Sequence, residues 1–412
     1  MRRTIVWLLL GCGALGCASA VTLPDPAKEP DWLVEARARE SVSMPETRVT
    51  AKGAFRTRVP ATVVVPPRRD GESYQMSLGV GGDAPIDCWV HDGDLDLASS
   101  LSHFSGATFD AISQRLGKVE QRQIERVDAG VMAGGPYLAV DWLYRIGSGR
   151  EARIGQVKHI ALSKNGHAVY CHHNEVGYHA TFRKVVETLA RELAFGGEQP
   201  ARPYYEEISV FAIQGRNVGV QHVALARDEQ GDTRTDVRAF MLVPVDATTF
   251  QASDTYGVEF VRPDGTLINT VHVETTNGEL SSHLELDPSA DGSWQVTGTF
   301  QKKEISARIE GGEPVGSWLG DVLSVRRAIR AGRIGGEVVL VRWIPEADPT
   351  RLIEEKIAIR EKVGKDRFKT EMSVAGLQAE VIADASGFSR SGSVDLGHIE
   401  MRFERIFANG SL

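Results

Sequence analysis

The sequence predicts an α+β chain of two domains: an antiparallel sheet with packed helices, then a large antiparallel β half-barrel or barrel with one helix. Three observations carry this expectation. Short alternating runs of β-branched and aromatic residues recur along the chain, and many of the 42 glycines sit in the turns between them. Apolar residues at spacings of three and four occur in only a few stretches, so helices are few. Gly196-Gly197, followed by Pro200 and Pro203, marks a linker near the middle.

The chain has 412 residues, enough for two or three domains that bury cores without staples. Hydrophobic residues make up 42% and charged residues 25%, an ordinary globular mixture rather than a disordered one. The 47 Lys and Arg against 55 Asp and Glu give a net charge of −8, which argues against nucleic acid as a partner.

The first twenty residues read as an export signal. Arg2-Arg3 form a positive region, Ile5 to Leu15 an apolar one, and small residues follow. That run is too short to span a bilayer, and no other stretch approaches about twenty apolar residues. Ala18-Ser19-Ala20 before Val21 fits ordinary signal cleavage. Ala14-Leu15-Gly16-Cys17 resembles a bacterial lipobox, and this resemblance implies lipidation of Cys17 and anchoring to the outer membrane of a bacterium. The two endings differ in outcome: a lipid-anchored protein, or a soluble periplasmic one. Residues 21–52, with Pro24, Pro26, Pro30 and Pro45, read as a tether carrying one short helix around Trp32 to Arg39.

The first domain is expected over residues 53–197. Its strands are Arg58–Val65, Tyr74–Val80, Ile86–His91, Val119–Val131, Tyr137–Ile146, Ile154–Leu162 and His167–His173. Asp94 or Asp96 can cap a helix with Leu97, Leu101 and Phe104 on one face; Ser105-Gly106 breaks it, and Thr108 restarts it. The closing helix has Tyr178, Phe182, Val185, Val186, Leu189 and Leu193 on one face and ends at Gly196-Gly197. Short Gly-rich turns imply antiparallel pairing with helices on a face. Arg58-Val59-Pro60 and the strand–Gly177-Tyr178-x-x-x-Phe182–helix ending resemble the PsbP-type fold. That resemblance covers about a third of the chain; it implies an exported domain that binds other proteins or has no known activity, and it supplies no catalytic residues.

Residues 204–412 read as strand after strand, with turns such as Pro263-Asp264-Gly265, Asn277-Gly278 and Asp291-Gly292. The last long strand is expected over Val394–Ile406. One helix interrupts, capped by Ser317 and running Trp318–Arg330 to Gly332. About a dozen antiparallel strands with one helix suggest a sheet curved around that helix. Gly215-x-x-Val218-Gly219, and Asp384-Ala385-Ser386-Gly387 before the last long strand, resemble the LolA-type lipoprotein carriers. In that family the helix sits as a lid over an apolar space. Strand alternation then puts Phe240, Leu242, Val271, Val273, Val339 and Val341 in the lining, faced by Trp318 and Leu319.

The chemistry-bearing residues are sparse. Without the signal, the cysteines are Cys88 and Cys171, which form either a disulfide or two buried thiols. His167, Cys171, His172, His173 and His179 crowd one stretch, but a strand sends Cys171 and His172 to opposite faces and no metal-ligand spacing supports them. Asp92-Gly93-Asp94-Leu95-Asp96 starts like a calcium loop but has Leu97 and His103 where Gly and Glu belong, so helix capping explains it better. No metal or cofactor is expected. There is no Gly-x-Ser-x-Gly, Walker loop or paired carboxylate motif. Arg326, Arg327, Arg330 and Arg333 are accounted for by the negative end of the helix dipole; contact with anionic lipid headgroups is the sharper alternative.

The sequence therefore points to a non-enzymatic exported envelope protein that binds a lipid, another apolar ligand or an envelope protein partner in or on the half-barrel. Membrane contact is expected through the N-terminal lipid. An envelope hydrolase or metal-dependent enzyme with a site near Cys171 is one alternative, and a pure interaction scaffold without ligand is another.

Overall fold

The structure is a computed structural model, and it describes residues 31–41, 44–147, 153–196, 202–311, 314–396 and 399–412. The export signal, Cys12 and Cys17 lie outside the described residues. Two compact units divide the chain: one comprises the described residues up to position 200 together with 241–252, the other 201–240 and 253–412.

In the first unit, helix α1 (Asp31–Arg37) precedes strands β1 (Glu46–Ala51), β2 (Phe55–Pro60), β3 (Thr62–Asp70), β4 (Ser73–Gly79) and β5 (Ile86–His91). Helix α2 (Leu97–Leu116) follows, then β6 (Val119–Met132), β7 (Gly135–Ile146), β8 (Arg153–Lys164), β9 (His167–His173), helix α3 (His179–Glu192) and the short β10 (Ala194–Phe195). β3-β4-β5-β9-β8-β7-β6 form an antiparallel seven-stranded sheet, and β1-β2-β10 a small three-stranded one. α3 lays Phe182, Val185, Val186 and Leu189 into the main core with Met76, Cys88, Ile160 and Cys171. On α2, Phe104 stacks on Tyr170 at 4.1 Å.

Three local expectations are corrected here. Glu46–Ala51, placed in the tether, is a strand, because Val49 and Ala51 alternate into the core opposite β2. The strand expected over Arg58–Val65 breaks at Ala61, which is buried, and its halves enter different sheets. Pro66 and Pro67, which lack N–H groups, are tolerated because β3 is an edge strand whose register slips there. The helix expected to stop at Ser105-Gly106 runs through it, since burying Leu101, Phe109 and Ile112 on one face outweighs the roughly 1 kcal/mol helix penalty of Gly106.

The second unit consists of β11 (Tyr205–Ile213), β12 (Arg216–Arg227), β13 (Thr233–Pro244), β14 (Phe250–Val261), β15 (Leu267–Thr276), β16 (Glu279–Pro288), β17 (Trp294–Phe300) and β18 (Lys303–Ile309). Helix α4 (Trp318–Arg330) comes next, then β19 (Glu337–Trp343), β20 (Leu352–Gly364), β21 (Arg367–Val374), β22 (Leu377–Asp384), β23 (Ser389–Asp395) and β24 (Glu400–Gly410). They form one fourteen-stranded sheet in the order β18 back to β11, then β24 back to β19. β11 pairs with both β12 and β24, joining the two arms. The end strands β18 and β19 are not neighbours in the sheet, so the barrel is not closed. The segment before α4 reaches across instead: Leu267 N donates to Val315 O (3.1 Å) and Gly316 N to Val341 O (2.7 Å). The strand expected over Val394–Ile406 is two strands, β23 and β24, which fold back on each other with Val394 opposite Met401.

Candidate functional site

Helix α4 is seated by its N-terminus. Ser317 Oγ accepts from Gly320 N (2.9 Å), the expected cap, and donates to Gly265 O (2.8 Å). Gly265, at φ +95°, comes so close that a Cβ there would sit 2.5 Å from Gly320 Cα. Glu259, wholly buried, accepts from Trp318 N (2.8 Å), where a negative charge suits the helix dipole. Arg342 on β19 reaches under the same turn. Its Nη1 donates to Ser317 O (3.1 Å) and to the Asp321 carboxylate, and lies 3.7 Å from Glu355 Oε2. Arg342, Asp321 and Glu355 are only 1%, 2% and 3% exposed, so this is a buried ion network.

Around it an apolar cluster packs. Trp318, Leu319 and Val322 pack with Tyr205, Val261, Leu267, Leu284 and Phe388 in one apolar cluster. Tyr205 stacks on Phe388 at 4.3 Å. A second network closes the β11 side: the Tyr205 hydroxyl donates to Glu207 Oε2 (2.6 Å), and Arg405 bonds Glu207 (3.3 Å) and Asp384 (2.7 Å). Burial pushes the Glu207 carboxyl above its ordinary range.

The expected lining is corrected at most of its positions. Trp318 and Leu319 do face the core. Val339 is 51% exposed and Val341 half-buried, and burial on β19 is confined to Arg342 and Trp343 at its end. On β15 the buried positions are Leu267, Thr270 and His272, and in the run from Thr270 onward Val271 and Val273 are on the opposite face. Phe240 and Leu242 are buried, but they alternate out of the face that carries Val237 into the core cluster. Two sizeable grooves on this unit, of about 570 and 500 Å³, have other linings. The residues that sequence reading missed are Glu207, Glu259, Asp321, Arg342, Glu355 and Arg405. The available signal was their strand phase, since each charged strand residue falls on the inward parity.

Arg327, Arg330 and Arg333 are exposed and Arg326 half-buried. Arg327 Nη2 donates to Ser324 Oγ (3.1 Å), and no ion pair among the described residues includes any of the four. In the first unit, Cys88 and Cys171 are directly opposite on β5 and β9 and are joined as a disulfide, with Cα atoms 4.1 Å apart. Cys171 therefore offers no free thiol. The histidines around it scatter. His167 lies 3.2 Å from Asp92, His172 3.5 Å from Asp87, His173 3.6 Å from Glu175 and His179 3.6 Å from Asp141. Burial holds His172 down to about 4. Among the described residues no cluster of three metal-ligating side chains converges. Asp94 accepts from Ser163 Oγ (2.8 Å), and Asp96 caps α2 through its backbone rather than its side chain.

The chain is thus a two-unit α+β protein, with a disulfide-bearing sheet in one unit and an unclosed fourteen-stranded barrel-like sheet in the other. No protein-family model and no curated protein sequence matches it. Among solved structures it is similar to a beta-barrel-like protein of the domain of unknown function DUF1849 from Brucella abortus. The two are 13% identical over 50% of this chain and 98% of that one, with a TM-score of 0.40. It is also similar to a DUF1089 family protein from Pseudomonas aeruginosa (13% identity, 48% and 91% covered, TM-score 0.20). PsbP (CyanoP) from Synechocystis is a third (12% identity, 44% and 98% covered, TM-score 0.25). Likeness this loose carries no functional assignment.

Proposed function

We propose that this chain is an exported, non-enzymatic protein of a bacterial envelope whose half-barrel docks a protein partner on its outer wall rather than carrying an apolar ligand inside. The observation that supports docking is the groove of about 570 Å³ along β20 to β24. Val363 and Ile406 are 45% and 46% exposed there, and Arg367, Arg390 and Arg405 line the groove with them against the one acid Glu404. Large apolar side chains rimmed by cations suit a segment that is apolar and acidic. The apolar cluster packed around Trp318 weighs against a carrier. A photo-crosslinking residue at position 406 should give one discrete adduct in cells, and Arg390→Glu in the same chain should suppress it. The same residue at the exposed Val339 should give none. Adducts of equal yield from both positions, or none from 406, would remove the docking reading.

Export is supported by the N-terminal signal and by the Cys88–Cys171 disulfide, a bond that persists in oxidising compartments. In the same cells Cys17→Ala should abolish palmitate labelling. A mature chain beginning at Val21 would instead mean a soluble periplasmic protein.

A second reading rests on the exposed Arg327, Arg330 and Arg333 beside Ile334, itself 51% exposed. Such a patch suits an anionic lipid surface, at about 1 kcal/mol per cation. The triple Gln variant should bind anionic vesicles roughly a hundredfold more weakly at low salt, with no change on zwitterionic ones. Unchanged vesicle binding in that variant would leave the arginines as helix-end charges only.

A further inference from the structure

The first unit holds a cleft that none of the preceding sites uses. It opens on the α3 face of the seven-stranded sheet, where that helix begins, and its volume is about 250 Å³. A transverse row of side chains runs beneath it. Arg126 on β6 is opposite Asp141 on β7, Asp141 is opposite Lys158 on β8, and Lys158 is opposite His173 on β9. Asp128, His179 and Arg183 complete the polar lining, over an apolar floor that includes Phe182.

Two guanidiniums line the cleft beside one carboxylate that both of them bind. Asp128 accepts from Arg126 (3.0 Å), Arg183 (3.1 Å) and the Tyr137 hydroxyl (2.8 Å), so two guanidiniums share one carboxylate. Both remain partly open to solvent, Arg126 at 56% and Arg183 at 41% of the side chain. Glu125, the next acid along β6, is already engaged by Arg37 of α1 and by Gln156. Glu40 is held by Ala180 N and Thr181 N at the start of α3, and Glu175 lies beside His173. Lys158, fully buried, donates to the carbonyls of Glu175 and Gly177 and faces Asp141. Burial, and then the cations Lys158 and Arg126, hold His179 down to about 4. With Asp141 protonated, the lining of the cleft itself holds two guanidiniums against the one carboxylate of Asp128.

We propose that this cleft binds a small oxyanion, the carboxylate or phosphate group of a ligand, between Arg126 and Arg183, and that Asp141 at its floor must carry a proton for the anion to enter. Arginine is suited to planar oxyanions because it presents paired N–H donors. An ionised Asp141 would repel the same anion, whereas a protonated one repels nothing and can donate a hydrogen bond. Burial, and then the neighbouring Glu125, push the Asp141 carboxyl up to about 7, so the switch falls in a physiological range. Because Asp141 gains its proton as pH falls, binding should tighten on acidification.

Calorimetric titration of the mature chain with acetate at pH 6 and pH 8 tests this, since acetate itself does not change charge between them. Binding should be about tenfold weaker at pH 8, following the protonated fraction of Asp141. Asp141→Asn, nearly the same shape, should bind at both pH values without that step. Arg126→Gln and Arg183→Gln should each weaken binding while the circular dichroism spectrum is unchanged. Inorganic phosphate in parallel tells which ligand chemistry is preferred, and tighter binding of either anion supports the site. The proposal fails if neither anion binds at pH 6, if Asp141→Asn keeps the tenfold step, or if neither arginine variant weakens binding.

Discussion

Replacing Arg342 with methionine should destabilise the half-barrel unit by about 3–5 kcal/mol. The guanidinium lies between two carboxylates, those of Asp321 and Glu355, and all three side chains are almost wholly excluded from water. Methionine fills similar volume but leaves two buried negative charges facing each other at the foot of α4. It also removes the donor to Ser317 O that fixes the first turn of the helix. Urea denaturation followed by tryptophan fluorescence would report the change, because Trp318 and Trp343 both lie in the adjoining core. Replacing Asp321 and Glu355 with leucine in the same chain should recover much of the loss, since the charges then leave together. A single Arg342→Met variant within about 1 kcal/mol of the parent would mean the network is solvated and not the buried pair described above.

Removing both Cys88 and Cys171 as alanines should cost the first unit about 4–5 kcal/mol at most. The bond closes a loop with a sequence separation of 83, and the chain-entropy account of disulfides gives that order for a loop of this length. Engineered and native bonds often deliver less, so thermal unfolding of the double variant against the oxidised parent sets the actual figure. Both sulfurs lie in the main core between β5 and β9 with Met76 and Ile160, so alanines also leave some unfilled volume. If adding reductant to the parent leaves its melting temperature unchanged, the bond contributes nothing to stability and the two residues matter only as packing.

The elements themselves were largely legible. β5 and β9 fall on the boundaries that alternation and turn residues suggest, and Ser317 caps α4 as its position before an amphipathic run implies. What sequence could not settle was phase. In β19 the run Val338-Val339-Leu340-Val341 is apolar on both parities, so nothing local says which half faces inward. Burial there falls instead on both parities at the strand's end, on Arg342, whose partners come from α4 and β20, and on Trp343. β15 misleads in the opposite way: its valines look like the core half, yet in the run from Thr270 onward Thr270 and His272 are the buried ones. The rule that apolar residues mark the inside fails where the inside is itself polar.

The proposed cleft was illegible for the same kind of reason. Arg126, Asp141, Lys158 and His173 are regularly placed in the sheet but irregularly placed in the chain, on four strands with no motif joining them. Sequence alone determined that this protein is an antiparallel α+β chain with few helices, because periodicity and turn chemistry are local properties. Tertiary structure alone decided which parity of each strand is buried, that the barrel stays open between β18 and β19, and which charges meet. Those outcomes depend on register and pairing between strands more than a hundred residues apart, as between β11 and β24, where the free energy of a contact belongs to neither residue by itself.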